Sequence, residues 1–163
     1  MTVNQEEFME EDTQRGRFLT FSLGEEVFGV EIRFVTEIIG MQPITSIPEA
    51  PDYIRGIVNL RGKIIPVMDM RLKFGLEQIA YDDRTCIIVI DTDAITIGLI
   101  VDKVAEVLMI GDENIAPPPD AKTGLENRYI SGIGKVGTDV KLLLSCEKLF
   151  RQNELEQIQE YGD

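Results

Sequence analysis

The apolar positions of this chain fall into short runs, most with a period of two. Phe18 to Leu23 alternates apolar and polar residues, Gly24-Glu25-Glu26 interrupts it, and Val27 to Ile32 alternates again. Two such runs around a turn signal predict a β-hairpin. Cys86 to Ile90, a break at Asp91-Thr92-Asp93, and Ile95 to Val101 predict a second hairpin. Gly56 to Leu60 and Lys63 to Val67 make a third strand pair, with Arg61-Gly62 at its turn. Glycine there supplies the positive φ of a tight hairpin. Pro66 cannot donate a ladder hydrogen bond, so its strand is expected at a sheet edge or a bulge. Two segments have helical spacing instead: Ile32, Val35, Ile38 and Ile39, and again Val101, Val104, Val107 and Leu108. They predict one short amphipathic helix after each of the first two hairpins. Asp69 and Ser145 are good N-cap residues. A short helix is therefore expected from Met70 to Phe74, ended by Gly75. A longer one is expected from Ser145 onwards, with Leu155 and Ile158 on its apolar face. Pro117-Pro118-Pro119 reads as a stiff extended loop.

The pattern occurs twice, at a period of roughly 70 residues, too long for a solenoid. Phe18, Leu19 and Phe21 recur as Ile87, Ile88 and Ile90, and Phe28-Gly29-Val30 recurs as Ile97-Gly98-Leu99. Val35 and Glu37 recur as Val104 and Glu106, and Pro48 as Pro117. After an insertion in the second copy, Tyr53, Ile54, Gly56 and Ile57 recur as Tyr129, Ile130, Gly132 and Ile133. Each copy is too small to bury much core alone, so two units packed as subdomains of one body are expected. Residues 1–14 are expected to form a flexible acidic arm, 15–80 the first unit, and 81–163 the second unit with the C-terminal helix. Adjacent units can exchange a terminal strand. Several short strands per unit with tight turns make the fold mainly β, with small closed barrels and short helices at their seams.

Charge and composition narrow the chemistry. A formal net charge of −13 argues against general nucleic-acid binding. No leader or membrane-spanning run is expected. Cys86 and Cys146 have neither disulfide-framework nor zinc spacing, and a reducing, cytoplasmic compartment fits them. The chain has no histidine, which removes the commonest general base and the histidine-activated nucleophiles. Gly132-Ile133-Gly134-Lys135 lacks the spacing of a phosphate loop. Asp82-Asp83 and Asp112-Glu113 lack a calcium-loop pattern. Glu37 and Glu106 are the best carboxylate pair for a hydrolase, although a place on the expected short helices, where a surface carboxylate is ordinary, explains them as well. No enzyme activity, metal or cofactor is expected.

The copies differ in charge. Arg55, Arg61 and Lys63 face Ser131, Gly137 and Asp139. With Arg71 and Lys73, the stretch Pro51 to Phe74 holds five basic residues against two acidic ones. That local basic patch on an acidic chain suits steering and docking. Arg61 is its sharpest member, because a hairpin-tip guanidinium can reach a partner carboxylate.

The run from Tyr53-Ile54-Arg55-Gly56-Ile57-Val58-Asn59-Leu60-Arg61-Gly62 through Lys63-Ile64-Ile65-Pro66-Val67-Met68-Asp69 to Arg71-Leu72-Lys73-Phe74 resembles the signature of the CheW family of bacterial chemotaxis coupling proteins. The resemblance extends to Phe28-Gly29-Val30, to Val35-Thr36-Glu37-Ile38, to Gly98 through Val107 and to the C-terminal helix. It implies two five-stranded SH3-like barrels and a non-catalytic adaptor. That adaptor would couple the cytoplasmic tip of methyl-accepting chemoreceptors to the regulatory domain of the histidine kinase CheA. It would sit in the cytoplasm, recruited to receptor arrays. Residues matching the family at Val35, Glu37, Arg61, Gly98 and Val107 imply receptor coupling; those at Ile44, Gly62 and Ile64 imply kinase contact. Some members carry a basic residue and an aromatic around the proline cluster. Here Ala116 and Ala121 stand there, which weakens the case for a kinase contact through that loop. The alternative reading is a small-ligand sensor with an inter-barrel pocket.

Overall fold

The computed structural model of the chain describes residues 15–118 and 129–149. Two β-sheets dominate it. The six-stranded sheet has the order β8-β1-β2-β11-β10-β9, and the five-stranded sheet the order β3-β6-β7-β5-β4. Its strands are β1 Arg17–Leu23, β2 Glu26–Glu31, β3 Val35–Gly40, β4 Ile54–Leu60, β5 Lys63–Asp69 and β6 Cys86–Asp91. They continue as β7 Thr96–Val101, β8 Lys103–Met109, β9 Ile115–Ala116, β10 Ile130–Val136 and β11 Asp139–Leu144. The helix α1 Met70–Lys73 is one turn, and the described part of α2 is Cys146–Leu149. The three predicted hairpins are present, and β10–β11 is the second copy of β4–β5.

Each sheet draws on both repeats. The first hairpin of one repeat (β1–β2 or β6–β7) lies between the third strand and the last hairpin of the other. The joins are parallel, β11 with β2 and β5 with β7. Glycine makes both joins possible. Gly29 faces Leu143 and Gly98 faces Val67 across them. A Cβ on Gly29 would stand 3.0 Å from Leu143 Cδ2, and one on Gly98 would stand 3.0 Å from Val67 Cγ1 and 2.6 Å from Ile87 Cγ2.

The five-stranded sheet closes on itself. Beyond β3 the chain reaches Thr45, which exchanges two 2.9 Å backbone hydrogen bonds with Ile57 of β4. β9 plays the same part against β10 in the other sheet, through Ala116 and Ile133. Gly56 is required at the first closure: its φ is +146°, and a Cβ there would lie 2.1 Å from Thr45 O. Its counterpart Gly132 leaves 3.2 Å between such a Cβ and Ala116 O. β4–β5 and β10–β11 both shift register at these glycines. This architecture is mainly β and fits two SH3-like subdomains.

Three apolar clusters follow from the alternation. Ile87 and Val89 of β6 point into the five-stranded sheet with Val58, Ile65, Val67 and Ile100. Ile88 and Ile90 point the other way, into a larger core shared with Leu19, Phe21, Val30 and Leu144 of the six-stranded sheet. Phe18, Ile110 and Leu143 fill the interior of that second sheet. Strands buried on both faces explain the nearly continuous apolar run of β6.

Three expectations need correction. The helices expected through Ile32, Val35, Ile38 and Ile39, and through Val101, Val104, Val107 and Leu108, do not form. A single 3-10 turn, Ile32–Phe34, leads into β3, and β8 occupies the second segment. The spacing was ambiguous because each strand pairs across a bulge, between Val35 and Glu37 and between Leu19 and Phe21, which breaks strict alternation. Runs rich in β-branched residues then favour strand. Pro66 is not on an edge strand, since β5 lies between β7 and β4, but the β4–β5 ladder shifts register beside it, between Ile54 and Gly56, as the bulge alternative allowed. Its pairing with β7 begins only at Val67, so at Pro66 the strand is paired on one side. The caps are as expected. Asp69 accepts from the N–H groups of Arg71 and Leu72, and Ser145 Oγ accepts from the N–H of Lys148 at 3.2 Å. The acidic arm, the longer helix expected to carry Leu155 and Ile158, Pro119 and Ala121 lie outside the described residues.

Gly56→Ala is expected to cost roughly 3–5 kcal/mol, the sum of backbone strain and overpacking, enough to unfold a marginal domain. Gly62→Ala, at φ +87° but with open space around it, should cost only about 1 kcal/mol. Gly29→Val and Gly98→Val should each lose about 1–3 kcal/mol. Chemical denaturation checks all four.

Candidate functional site

A groove of about 340 Å³ opens where the two outer strands of the five-stranded sheet splay apart, away from the Thr45–Ile57 closure. Val89, Ile65 and Leu60 give it an apolar floor, and Glu37, Arg61, Lys63, Asp91 and Thr96 line its rim. The groove sits at the mouth of one sheet rather than between the two sheets.

The sequence shapes its tip. Asn59 Oδ1 accepts a 2.8 Å hydrogen bond from the Gly62 N–H. Arg61 (φ +52°) and Gly62 (φ +87°) are both left-handed, the requirement of a two-residue hairpin turn that follows strand twist. Arg61 is thereby presented at the apex, with 69% of its side chain exposed. Its Nη2 donates to Glu37 Oε2 on β3. The pair raises the Arg61 guanidinium above its ordinary range, the Glu37 hydrogen bond being the main cause. It joins the two outer strands by side chains where the backbone leaves them apart. Beside it, the Thr96 hydroxyl donates to Asp91 Oδ1 at 2.9 Å, and Lys63 Nζ stands 3.4 Å from Thr96 Oγ1.

The structure brings Glu37, Arg61 and Gly62 together and disperses the other candidates. Val35 lies at the start of β3, half-buried against the large core. Val107 is 50% exposed on β8, in the other sheet. Gly98 is buried between Val67 and Ile87, so a change there acts through strand packing. Ile44 packs half-buried on the core inside the five-stranded sheet, and Ile64 is half-buried on β5. Glu106, the suggested carboxylate partner of Glu37, stands on β8 of the six-stranded sheet. Gly137 replaces arginine opposite Glu106, so that mouth lacks the Glu37–Arg61 pairing. Among the described residues no cluster of histidine, cysteine or carboxylate groups could hold a metal ion.

Only part of the expected basic patch is a surface feature. Arg71 turns inward, and its Nε and Nη2 donate to the two carboxylate oxygens of Asp102 at 2.8 and 2.7 Å. Asp102 Oδ2 also accepts the Gly24 N–H at 2.8 Å. This network ties α1 to the β1–β2 turn and the bend after β7. Burial alone would raise the Asp102 carboxyl, but Arg71 and the Gly24 N–H hold it below the usual aspartate range. Lys73 is buried, its ammonium 4.1 Å from the Tyr53 ring and 5.0 Å from that of Tyr129, the same tyrosine in each repeat. Its counterpart in the second copy, Leu149, is also buried, a clue to an interior position that charge counting passes over. Arg55 is half-buried. Burial pushes the Cys146 thiol up to about 12 and raises that of Cys86. Sequence reasoning missed Thr36, Leu60, Ile65, Val89, Asp91 and Thr96 as groove residues. Their only common signal is position near strand ends that the topology brings together.

With this geometry in hand, comparison with known proteins is informative. Residues 17–154 match the model of the CheW-like domain. The chain is 38% identical over 144 residues to the chemotaxis protein CheW of Klebsiella aerogenes, covering 88% of this chain and 87% of that protein. It is 33% identical over 162 residues to the chemotaxis protein CheW of Treponema pallidum, covering 97% of this chain and 91% of that protein. The crystal structure of the scaffolding protein TtCheW from Thermoanaerobacter tengcongensis superimposes with a TM-score of 0.78 at 37% identity, covering 85% of this chain and 94% of that one.

Arg71→Ala is expected to lower stability by about 1–2 kcal/mol, because Asp102 then stands partly buried without its cation. A carboxylate whose folded pKa is depressed contributes stability above its unfolded value, and loses it as pH falls through the folded one. Asp102→Asn should therefore flatten the acid limb of the stability curve below about pH 4. Denaturation midpoints measured across pH check this.

Proposed function

The chain belongs to the family of CheW-like domain proteins, and from that premise we propose that it is a non-catalytic scaffold of bacterial chemotaxis that couples methyl-accepting chemoreceptors to the histidine kinase CheA. The observation that carries the reading is the exposed Glu37–Arg61 pair over an apolar-floored groove. Coupling forms and breaks no bond. It needs a rigid body with several modest interfaces, which an array multiplies through multivalency. Two closed sheets fused through parallel joins supply that body.

In this reading the receptor tip, built of helices, lays apolar side chains along the groove and β3, and Arg61 and Glu37 set polar register at the rim. Val107, exposed on β8 of the other sheet, lies outside this groove, and we assign it a separate, outlying receptor contact. Gly98 contributes by holding β7 against β5 rather than by touching the receptor. Gly62, Ile64 and Ile44 lie on the β4–β5 hairpin or beside the Thr45 closure, and we assign that flank to the kinase. The scaffold works in the cytoplasm beside the receptor arrays. A small-ligand sensor finds less support, because the groove lies outside the inter-sheet core.

Arg61→Ala should reduce co-sedimentation with a chemoreceptor cytoplasmic fragment about tenfold, the loss typical of an interface arginine. Its melting temperature should stay unchanged, since the side chain is exposed. Full retention of receptor binding by Arg61→Ala would remove the assigned role. Ile64→Glu should weaken kinase capture while sparing the receptor; equal loss of both would contradict the division of the two faces.

A further inference from the structure

The rim of the groove carries two cations in unequal states. Arg61 is engaged by Glu37 across the seam. Lys63, two residues on, meets only the Thr96 hydroxyl among the described residues, 3.4 Å away. That hydroxyl donates its own proton to Asp91 at 2.9 Å, so Thr96 meets the ammonium with its lone pairs. The Asp91–Thr96–Lys63 chain thus holds Lys63 at the rim while leaving donors on its exposed ammonium for something outside the molecule. Directly inside lie Val89, Ile65 and Leu60, an apolar floor with room for one or two side chains in about 340 Å³. The equivalent mouth of the six-stranded sheet abandons this arrangement: Asp139 stands at the position of Lys63, and Val27 at that of Thr96.

We propose that Lys63 is a specificity-determining residue of the docking groove, selecting partner helices that place a carboxylate about one turn from an apolar anchor. The apolar side chain enters over Val89 and Ile65, and the partner's carboxylate takes the free donors of Lys63. The occupant follows from charge complementarity. A partner bringing a cation would meet Lys63 and Arg61 first, whereas Asp91 and Glu37 are already occupied by Thr96 and Arg61. A carboxylate needs no rearrangement of the rim, and residues three or four apart on a helix share one face. This inference rests on the receptor-coupling reading above and goes beyond it in naming the chemistry of the partner's contact. Lys63 forms no part of the core, so its replacement leaves the fold intact.

The test is binding of the full chain and its Lys63→Gln, Lys63→Arg and Lys63→Glu variants to a chemoreceptor cytoplasmic fragment over a range of salt. Lys63→Gln should bind about three- to tenfold more weakly and with a shallower salt dependence, as for loss of one exposed charge pair. Lys63→Arg should bind as the parent does, and Lys63→Glu most weakly. Changing one acidic residue at the receptor tip to lysine should restore binding of Lys63→Glu. Unchanged affinity and salt dependence for Lys63→Gln, with Arg61→Ala still impaired, would overturn the proposal while leaving the coupling reading in place. A parent chain that fails to bind the fragment would overturn the coupling reading itself.

Discussion

Neither repeat closes a sheet from its own strands, and almost everything else in the molecule depends on that. The parallel joins of β2 with β11 and of β5 with β7 insert each repeat's first hairpin into the other's sheet. The joins require backbones to approach where Gly29 and Gly98 leave room for Leu143 and Val67. With both joins made, the two sheets share one large core, and unfolding one sheet would expose the inner face of the other. A scaffold gains from this: the interleaved strands tie its faces to one another.

The same duplication divides the chain into shared and unshared residues, and that division has physical content. Shared glycines mark close approaches: Gly56 against Thr45 and Gly132 against Ala116. Shared Tyr53 and Tyr129 meet over Lys73 at the junction. Unshared Arg61 and Lys63 lie at the mouth of one sheet only. Glu37 bridges the two classes. It recurs as Glu106, but only Glu37 finds an arginine, because Gly137 replaces it in the second copy. One carboxylate position therefore sits in two electrostatic settings.

Much of this was legible in the sequence. The hairpins, the Asp69 cap, the Arg61-Gly62 turn and the repeat follow from local rules of alternation, capping and turn chemistry. β3 and β8 did not, because bulges disturbed their alternation and left a spacing that also suits a helix. Ile38, assigned to an apolar helix face, is instead 45% exposed. Arg61 and Glu37 could each be named from the sequence, but not as a pair, since only the closed sheet brings them together. Arg71 and Lys73 were misplaced for a related reason. Charge counts do not show which basic residues have buried partners, and Asp102 and the two tyrosines lie far away in the chain.

The central claim is that partner recognition belongs to the mouth of the five-stranded sheet and not to its pseudo-equivalent. Backbone amide chemical-shift mapping of the labelled chain, titrated with a chemoreceptor cytoplasmic fragment, tests this most directly. The account predicts perturbations clustered on Glu37, Arg61, Lys63, Asp91 and Thr96, with Gly137, Thr138 and Asp139 unmoved. Equal perturbation of the β10–β11 tip, or a quiet β4–β5 tip, would contradict it.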